Sequence, residues 1–209
     1  CQAFRPAWYS RTRARDRLSA ARRDLPMVVV DKPYRFDSEV GPKTLADLFD
    51  GKDQLIVEHF MFGADWDEGC PSCSFWADNF DGLDVHLAAR NTALKFVSIA
   101  PLDKLLAYKR RMGWRFDWVS SAPCDFNMDF GVSFRDGAPG PSGGYNYSAD
   151  VYGNEMPGIS VFLKLADGRI AHSYSTYGRG LDILNAAYNL LDLTPLGRDE
   201  DGLDFSMAW

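Results

Sequence analysis

The chain has 209 residues, which is the length of one domain of ordinary size. An apolar share of 46% and an aromatic share of 14% provide ample material for a packed core, so global disorder is excluded. The formal net charge of −6 argues against a nucleic-acid partner, because neutralising phosphates requires an excess of cations. The longest apolar runs are far shorter than the ~18–20 residues that cross a bilayer. We therefore expect a soluble globular protein without a membrane span.

The first predicted element is a basic helix at the surface. Residues 11–23 carry six arginines and one acidic residue. Leu18, Ala21 and Leu25 recur at helical spacing, which gives this helix a narrow apolar stripe. Pro26 ends it. We expect a helical extension in front of the main domain.

Predicted strands and helices then alternate along the chain. We expect strands over residues 27–31, 55–62, 93–100, 118–120, 158–165 and 169–174, and helices over residues 45–49, 73–90, 101–112 and 181–191. Connections through helices require parallel strands, whereas the Asp167-Gly168 turn requires an antiparallel pair. Gly82 is expected to weaken or bend the long second helix. The order predicts an α/β protein, a three-layer α/β/α sandwich around a mixed sheet of four to six strands.

Two of the four cysteines are clustered as Cys70-Pro71-Ser72-Cys73, at the predicted turn from a strand into a helix. A sulfur at a helix N-terminus meets unpaired N–H groups, which favour the thiolate and lower the thiol pKa. A second sulfur one turn further on can attack a mixed disulfide and release the product. Pro71 suits the first helical position, where its missing N–H costs nothing. We predict Cys70 as the nucleophile and Cys73 as the resolving thiol.

Several segments resemble known families. The run LIVEHFMF followed by the Cys-Pro-x-Cys helix start resembles the thioredoxin-like superfamily, and MPGISVF at residues 156–162 resembles its second signature. Residues 45–62 and 129–132 resemble the peroxiredoxin-related branch. The segments WDEGCPSCSFWADNFDG and STYGRGLDILNAAYNLLDLTPLGRDEDGL are similar to the bacterial family called domain of unknown function 899. This resemblance covers nearly the whole chain from about Arg11.

The resemblance implies roles for particular residues. Cys70 and Cys73 match the redox pair of the superfamily, and Pro157 matches its cis-proline, which positions a substrate backbone near the sulfurs. Relatives keep a buried acid on the central strand that accepts protons during exchange. Glu58 or His59 could take that place. Because successive side chains of a strand face opposite sides, only one of them can face the cysteines, and we favour Glu58.

Substrate contacts are expected from residues close to the sulfurs and to the proline. Trp66 can form a wall of the site, and Met156 and Pro71 flank the matched motifs. We expect substrate contacts from all three.

The order of the predicted elements divides the chain into three parts. We expect an N-terminal helical extension over residues 1–26, a thioredoxin-like domain over residues 27–193 and a C-terminal tail over residues 194–209. Because the chain begins with Cys1 and not with Met, we expect its start to be trimmed or partial; the mature end of a lipoprotein is the less favoured alternative.

The sequence also departs from the peroxiredoxin pattern. Residues 62–70 contain no Pro or Thr, so the Pro-x-x-x-Thr-x-x-Cys loop of a standard peroxiredoxin is missing. Asp65, Asp67 and Glu68 directly precede Cys70. Pointing inward they would raise the thiol pKa, whereas exposed to solvent they would have little effect. Their direction stays open at this point.

Other features admit a structural interpretation beside a functional one. A zinc site would need two ligands besides the Cys pair, and Cys124 and the three histidines are scattered singly, so we expect no metal. His172 could approach the cysteines or serve cross-strand packing. Residues 135–147, rich in Gly and Pro, could form a mobile lid or a surface insertion.

The first hypothesis for function is a thiol–disulfide oxidoreductase without a cofactor. Its partners would be a protein or small-molecule thiol or disulfide and an external dithiol reductant, in the cytoplasm. The second hypothesis is a non-catalytic thioredoxin-fold binding module with permanently reduced cysteines. A thiol-dependent peroxidase is a third hypothesis, weakened by the missing loop.

Overall fold

The computed structural model describes residues 5–204 and 206–207, so the expectation about Cys1 lies outside the described residues. The strands are β1 (Val28–Val29), β2 (Arg35–Phe36), β3 (Lys43–Thr44), β4 (Gln54–His59), β5 (Thr92–Ser98), β6 (Trp118–Ser120), β7 (Gly158–Lys164) and β8 (Ile170–Tyr177). The α-helices are α1 (Arg5–Arg23), α2 (Pro71–Phe80), α3 (Asp84–Ala88), α4 (Leu102–Met112), α5 (Phe126–Asp129) and α6 (Ala186–Leu191). Short 3-10 helices cover Asp47–Phe49, Tyr145–Tyr147 and Gly178–Leu184.

Six strands form one mixed sheet in the order β1-β8-β7-β4-β5-β6. β4, β5 and β6 are parallel, because helices carry the chain from one to the next. β7 is antiparallel to both β4 and β8, and β8 to β1. β2 and β3 form a separate hairpin. The predicted α/β class with a mixed sheet is confirmed.

The central strand β4 separates two cores. Ile56 packs into a cluster with α2 and α4, whereas its neighbours Leu55 and Val57 pack into a second cluster on the opposite face. This alternation is the one that a strand covered on both faces requires. The first cluster is largely aromatic, and the rings of Phe60 and Trp118 pack at a tilt with 4.6 Å between their centroids.

The prediction of one continuous helix over residues 73–90 is wrong. α2 ends at Phe80 and α3 begins at Asp84. Gly82 between them has a φ of +85°, a left-handed conformation that glycine adopts freely and that stops an α-helix. The chain therefore turns at Gly82, where the sequence predicted a weakened or bent helix.

The last predicted helix, over residues 181–191, is also divided. A 3-10 helix runs to Leu184, and α6 begins at Ala186. Asn185 has a non-helical backbone, and its side chain accepts a hydrogen bond from the N–H of Tyr188, so it caps α6. Among the helices that the structure describes, none combines the length and the apolar composition that crossing a membrane requires.

Candidate functional site

Cys70 lies at the N-terminus of α2, beyond the end of β4. The backbone N–H of Cys70 donates to the carbonyl of Met61, which ties the intervening loop back to the strand. Cys70 is the N-cap of α2, and its Sγ accepts a hydrogen bond from the N–H of Cys73 at 3.5 Å. Pro71 is the first residue of the helix and is exposed. The local sequence thus places a half-buried sulfur against the free N–H groups of a helix end.

The two thiols of this turn have opposite ionisation behaviour, and neither is in a disulfide. A hydrogen bond from the Cys73 thiol lowers the pKa of Cys70 to about 6, and the backbone N–H groups of Cys73 and Ser72 act in the same direction against burial. Donating that bond and being only 2% exposed raise the pKa of Cys73 well above its ordinary value. Near neutral pH the pair therefore holds a thiolate at Cys70 and a protonated thiol at Cys73.

Glu58 lies beside this pair, on the face of β4 that packs against α2. Its side chain is buried, and its Oε2 has no hydrogen-bond partner. Burial raises the pKa of Glu58 well above its ordinary value, and the charge of Cys70 adds to the effect. The charge of Glu58 in turn contributes to the raised pKa of Cys73. Of the predicted residues, the structure thus brings Cys70, Cys73 and Glu58 together.

His59 points to the opposite face of the sheet, into a buried polar row. Its Nε2 lies 2.9 Å from the hydroxyl of Ser160, which lies 2.8 Å from that of Ser175. The Nε2 of His172 lies 2.7 Å from Ser175. Burial lowers the pKa of His59 to about 3, so this ring is neutral in the folded protein. His172 therefore belongs to this row and does not approach the cysteines.

The loop before Cys70 carries its acidic side chains outward. Asp65, Asp67 and Glu68 are exposed, and Glu68 pairs with Arg111 at 2.6 Å. None of the three is among the groups that determine the pKa of Cys70. The question that the sequence left open is therefore answered: these carboxylates are directed to solvent, where their effect is screened.

Trp66 is the half-buried residue of this loop. A Cβ on Gly63 would lie 2.7 Å from its indole Nε1, so the ring lies directly on the glycine backbone. Lys104 donates to the carbonyl of Trp66 at 2.9 Å and fixes the loop to α4. The indole packs against the same core cluster as Cys70 and Cys73.

The expected cis bond at Pro157 is wrong. No peptide bond in the described residues is cis, so the Met156–Pro157 bond is trans. The segment enters β7 in an extended course: the N–H of Met156 donates to the carbonyl of Val132 at 2.8 Å, and Pro157 directly precedes the strand. The trans form is also the one that an X-Pro bond prefers intrinsically. Met156 packs against the buried cluster that contains Val132 and Tyr145.

Two residues of the site carry no motif in the sequence. The hydroxyl of Tyr145 donates to the carbonyl of Pro157 at 2.7 Å and accepts from the N–H of Gly178 at 2.7 Å. Burial raises the pKa of Tyr145, and the charge of Cys73 contributes, which places this ring near the resolving thiol. Tyr145 thus anchors the segment 135–147, which the sequence analysis treated as a lid or an insertion.

Glu155 is the second buried acid near the site. It accepts a hydrogen bond from the hydroxyl of Ser133 at 2.7 Å. Burial raises the pKa of Glu155 to about 8, and Asp65 of the loop before Cys70 adds to this effect. In the sequence, the only signal for Glu155 is that this acidic residue directly precedes the Met156-Pro157 motif.

The remaining candidates lie elsewhere. Cys124 packs against the core cluster on the opposite face of the sheet, and His86 is exposed on α3. Within residues 5–204 and 206–207, no three His, Cys, Asp or Glu side chains are placed so that they could hold a metal ion. The chemistry available at the site is therefore that of a dithiol beside an unpartnered carboxyl group.

Comparison with known sequences gives one match. The family model described as "Bacterial protein of unknown function (DUF899)" matches residues 9–209. A search of curated proteins found no match.

Solved structures with the same fold include peroxiredoxins. Peroxiredoxin Q of Xanthomonas campestris is 13% identical with a TM-score of 0.54, over 81% of this chain and 98% of that one. The peroxidoxin BcpB of Mycobacterium tuberculosis is 15% identical with a TM-score of 0.51, over 74% and 86%. Peroxiredoxin 6 of Arenicola marina is 10% identical with a TM-score of 0.51, over 80% and 74%. At these identities the similarity shows the thioredoxin-like fold alone.

Proposed function

This chain belongs to the bacterial family of unknown function DUF899, and we propose that it acts as a thiol–disulfide oxidoreductase through Cys70 and Cys73. The observation that carries the proposal is the opposite ionisation of two thiols one helical turn apart. A half-buried thiolate is the attacking group that exchange requires. A buried protonated thiol next to it is the group that completes the exchange.

The reaction proceeds in two exchanges. The thiolate of Cys70 attacks one sulfur of a substrate disulfide, forms a mixed disulfide and releases the other sulfur as a thiolate. Cys73 then loses its proton and attacks the Sγ of Cys70, which releases the second substrate thiolate and leaves a Cys70–Cys73 disulfide. The substrate gains two electrons and the protein dithiol loses them. An external dithiol restores the reduced protein, for which a reducing compartment such as the bacterial cytoplasm is suitable.

Glu58 supplies the place to which the proton of Cys73 moves. Burial raises the pKa of Glu58, so its carboxylate form is a stronger base than that of an exposed glutamate and can take the proton of the Cys73 thiol. Its Oε2 has no competing hydrogen-bond partner, so this oxygen is free for the exchange. The charge of Glu58 contributes to the raised pKa of Cys73, and this interaction supports the assignment.

Substrate binding is assigned to the residues that surround the sulfurs. Trp66 forms an apolar wall from the loop before Cys70, and Pro71 is exposed at the start of α2. Met156 and Pro157 lie on the segment that Tyr145 holds. These groups would contact a protein or small-molecule disulfide from two sides.

The first test measures the reactivity of the thiols. The reduced protein is alkylated with iodoacetamide between pH 4 and 10, and the modified cysteine is identified by mass spectrometry. We expect Cys70 to react with an apparent pKa near 6 and Cys73 to stay unmodified at neutral pH. Cys124→Ser is the matched control, because Cys124 lies on the other face of the sheet and its loss leaves this profile unchanged.

The second test follows the exchange itself, with glutathione disulfide as the probe. We expect the wild-type protein to form the Cys70–Cys73 disulfide, the Cys73→Ser variant to accumulate a glutathione adduct on Cys70, and the Cys70→Ser variant to form neither. A Cys70 thiol that titrates near 8.5 and forms no disulfide in any glutathione buffer would overturn the proposal in favour of a binding module. Turnover of hydrogen peroxide without disulfide exchange would overturn it in favour of a peroxidase.

A further inference from the structure

A cavity separate from the cysteine pair opens on the same face of the sheet. Its volume is about 490 Å³, within the range of small-molecule sites. The floor crosses four adjacent strands, from Leu94 on β5 through Ile56 on β4 and Val161 on β7 to Tyr174 on β8. At the usual strand spacing this floor is about 14 Å wide. The cavity is therefore elongated across the strands.

The two ends of the cavity differ in polarity. At the β5 end, Leu94 is enclosed by Phe80 and Leu87 from α2 and α3, and no polar side chain contributes. At the β8 end, the lining includes the hydroxyl-bearing residues Tyr174 and Thr176. A ligand that matches this arrangement has a long apolar part and one polar end.

Arg22 of α1 determines the charge of that polar end. It lines the cavity, and its guanidinium lies 5.2 Å from the centre of the Tyr174 ring. Within the part of the chain that the structure describes, Arg22 makes no ion pair, in contrast to Arg179 and Arg198, which both pair with Asp182. An unpaired cation at the polar end of an apolar cavity favours an anionic group there.

We propose that this cavity binds a free alkyl carboxylate, with the carboxylate at Arg22 and the chain across the strands toward Leu94. An extended dodecanoate has a length comparable with the floor, so its chain would bury apolar area along the whole cavity. Leu18 of α1 and Leu25, just beyond its end, do not occupy this space, because both are exposed. The site is independent of the dithiol, which does not line it.

The experiment titrates the full-length reduced protein with dodecanoate, below its micellar concentration, by isothermal calorimetry. We expect one site per chain. Val161→Phe places a larger side chain on the floor and should weaken binding at least ten-fold. Leu87→Trp fills the wall and should have the same effect, so the result stands even if one variant fails to fold. Val85→Phe is the matched control, because Val85 lies on α3 but outside the cavity and is exposed.

The charge is tested with a second pair of variants. Arg22→Gln should weaken dodecanoate about five-fold, as loss of a partly exposed ion pair worth about 1 kcal/mol predicts. Arg23→Gln makes the same change of net charge at a neighbouring exposed position and should leave the affinity unchanged. Binding of 1-dodecanol, which has no charge, should not distinguish the two variants.

Three outcomes of the dodecanoate titrations would overturn the proposal. The first is no binding of dodecanoate, and the second is binding that both cavity variants retain. The third is equal affinity of the Arg22→Gln and Arg23→Gln variants for dodecanoate. Vesicles of phosphatidylglycerol separate a free ligand from a membrane surface: we expect no sedimentation of the protein with them, and Arg22-dependent sedimentation without dodecanoate binding would also overturn the proposal.

Discussion

Ser72 lies between the two cysteines and acts on the sulfur of Cys70 through its hydroxyl as well as its N–H. Replacing Ser72 by Ala removes the side-chain hydrogen bond but keeps the backbone one. A hydrogen bond worth about 0.5–1.5 kcal/mol corresponds to a pKa shift of about half a unit to one unit. We therefore expect the pKa of Cys70 in the Ser72→Ala variant to be higher by this amount. The pH dependence of iodoacetamide alkylation measures it.

The control for this prediction is Ser74→Ala. The Ser74 hydroxyl donates to the Cys70 carbonyl and contacts Tyr108, so it belongs to the same helical turn without reaching the sulfur. The Ser74→Ala variant should keep the wild-type alkylation profile even if it is less stable. Equal profiles of wild type and the Ser72→Ala variant would contradict the prediction.

Glu58 is expected to act on the second exchange and not on the first. Cys70 owes its low pKa to groups of α2, and Glu58 is not among them. The Glu58→Gln variant should therefore keep the wild-type alkylation profile of Cys70. Its glutathione adduct on Cys70 should be resolved by Cys73 at least about 10-fold more slowly, because the group that accepts the proton of Cys73 is missing. Quenched-flow mass spectrometry of the adduct measures this rate.

The matched control is the Glu68→Gln variant, because this carboxylate lies two residues before Cys70 but is exposed and paired with Arg111. Its adduct should resolve at the wild-type rate. If Glu58→Gln also resolved at that rate, the proton of Cys73 would have to leave by another path.

The choice between Glu58 and His59 shows what a sequence can predict for a single residue. Alternation along β4 requires that the two side chains face opposite sides, and this the structure bears out. Which side carries the cysteines depends on how α2 returns over the sheet, and no pattern within the strand contains that information. The buried row that receives His59 depends on Ser160 and Ser175, about a hundred residues away.

At the scale of elements, Gly82 carries the junction between α2 and α3. An alanine at this φ of +85° would be strained, and its Cβ would lie 3.0 Å from the Arg115 side chain, which can move aside. We therefore attribute the cost to the backbone and expect the Gly82→Ala variant to lose about 1 kcal/mol in the free energy of unfolding. Urea denaturation followed by tryptophan fluorescence measures it.

His86→Ala is the control for the helix junction, since His86 is exposed on α3 and its replacement should change the stability by less than about 0.5 kcal/mol. A Gly82→Ala variant as stable as wild type would mean that a continuous helix can form here at no cost.

Strands were easier to predict than helices and loops in this chain. β6 occupies the three residues expected, because Trp118–Ser120 is a short apolar run that is buried throughout. Two helices were predicted too long, because periodicity continues across Gly82 and Asn185 although the backbone turns there, whereas the prediction over residues 101–112 agrees with α4. Tyr145 was not predicted at all, since its contact with Gly178 joins segments 33 residues apart in a region without periodicity.

At the scale of the whole molecule, the buried titratable groups form two sets with opposite effects on the pH dependence of stability. Glu58 and Glu155 have raised pKa values, that of Glu155 about 8, so the folded protein retains their protons above the pH at which the unfolded chain releases them. Their contribution to stability is complete below about pH 4.5 and is lost as the pH rises through the folded pKa values.

The histidines and Cys70 act in the opposite sense. The pKa of His59 is lowered to about 3 and that of His172 is lowered too, so their contribution is present above about pH 6.5 and is lost as the pH falls. Cys70, with a pKa lowered to about 6, adds stability between about pH 6 and 9 and offsets one of the two acids in that window.

Between about pH 5 and 6.5 the opposite effects of the two acids and the two histidines nearly cancel, so the sum predicts a broad stability maximum in this range for the reduced protein. Above about pH 6.5 the histidines no longer contribute, and the two protonated acids outweigh Cys70 by about one proton, so the free energy of unfolding should fall by up to roughly 1 kcal/mol per pH unit until Glu155 ionises at about pH 8. In the Glu58→Gln variant one acid is missing, and this alkaline limb should be nearly flat. Urea denaturation at half-unit steps from pH 4 to 8, with a reductant present, tests both curves. A wild-type stability that stays constant or rises from pH 6.5 to 8 would show that Glu58 and Glu155 ionise normally in the folded protein.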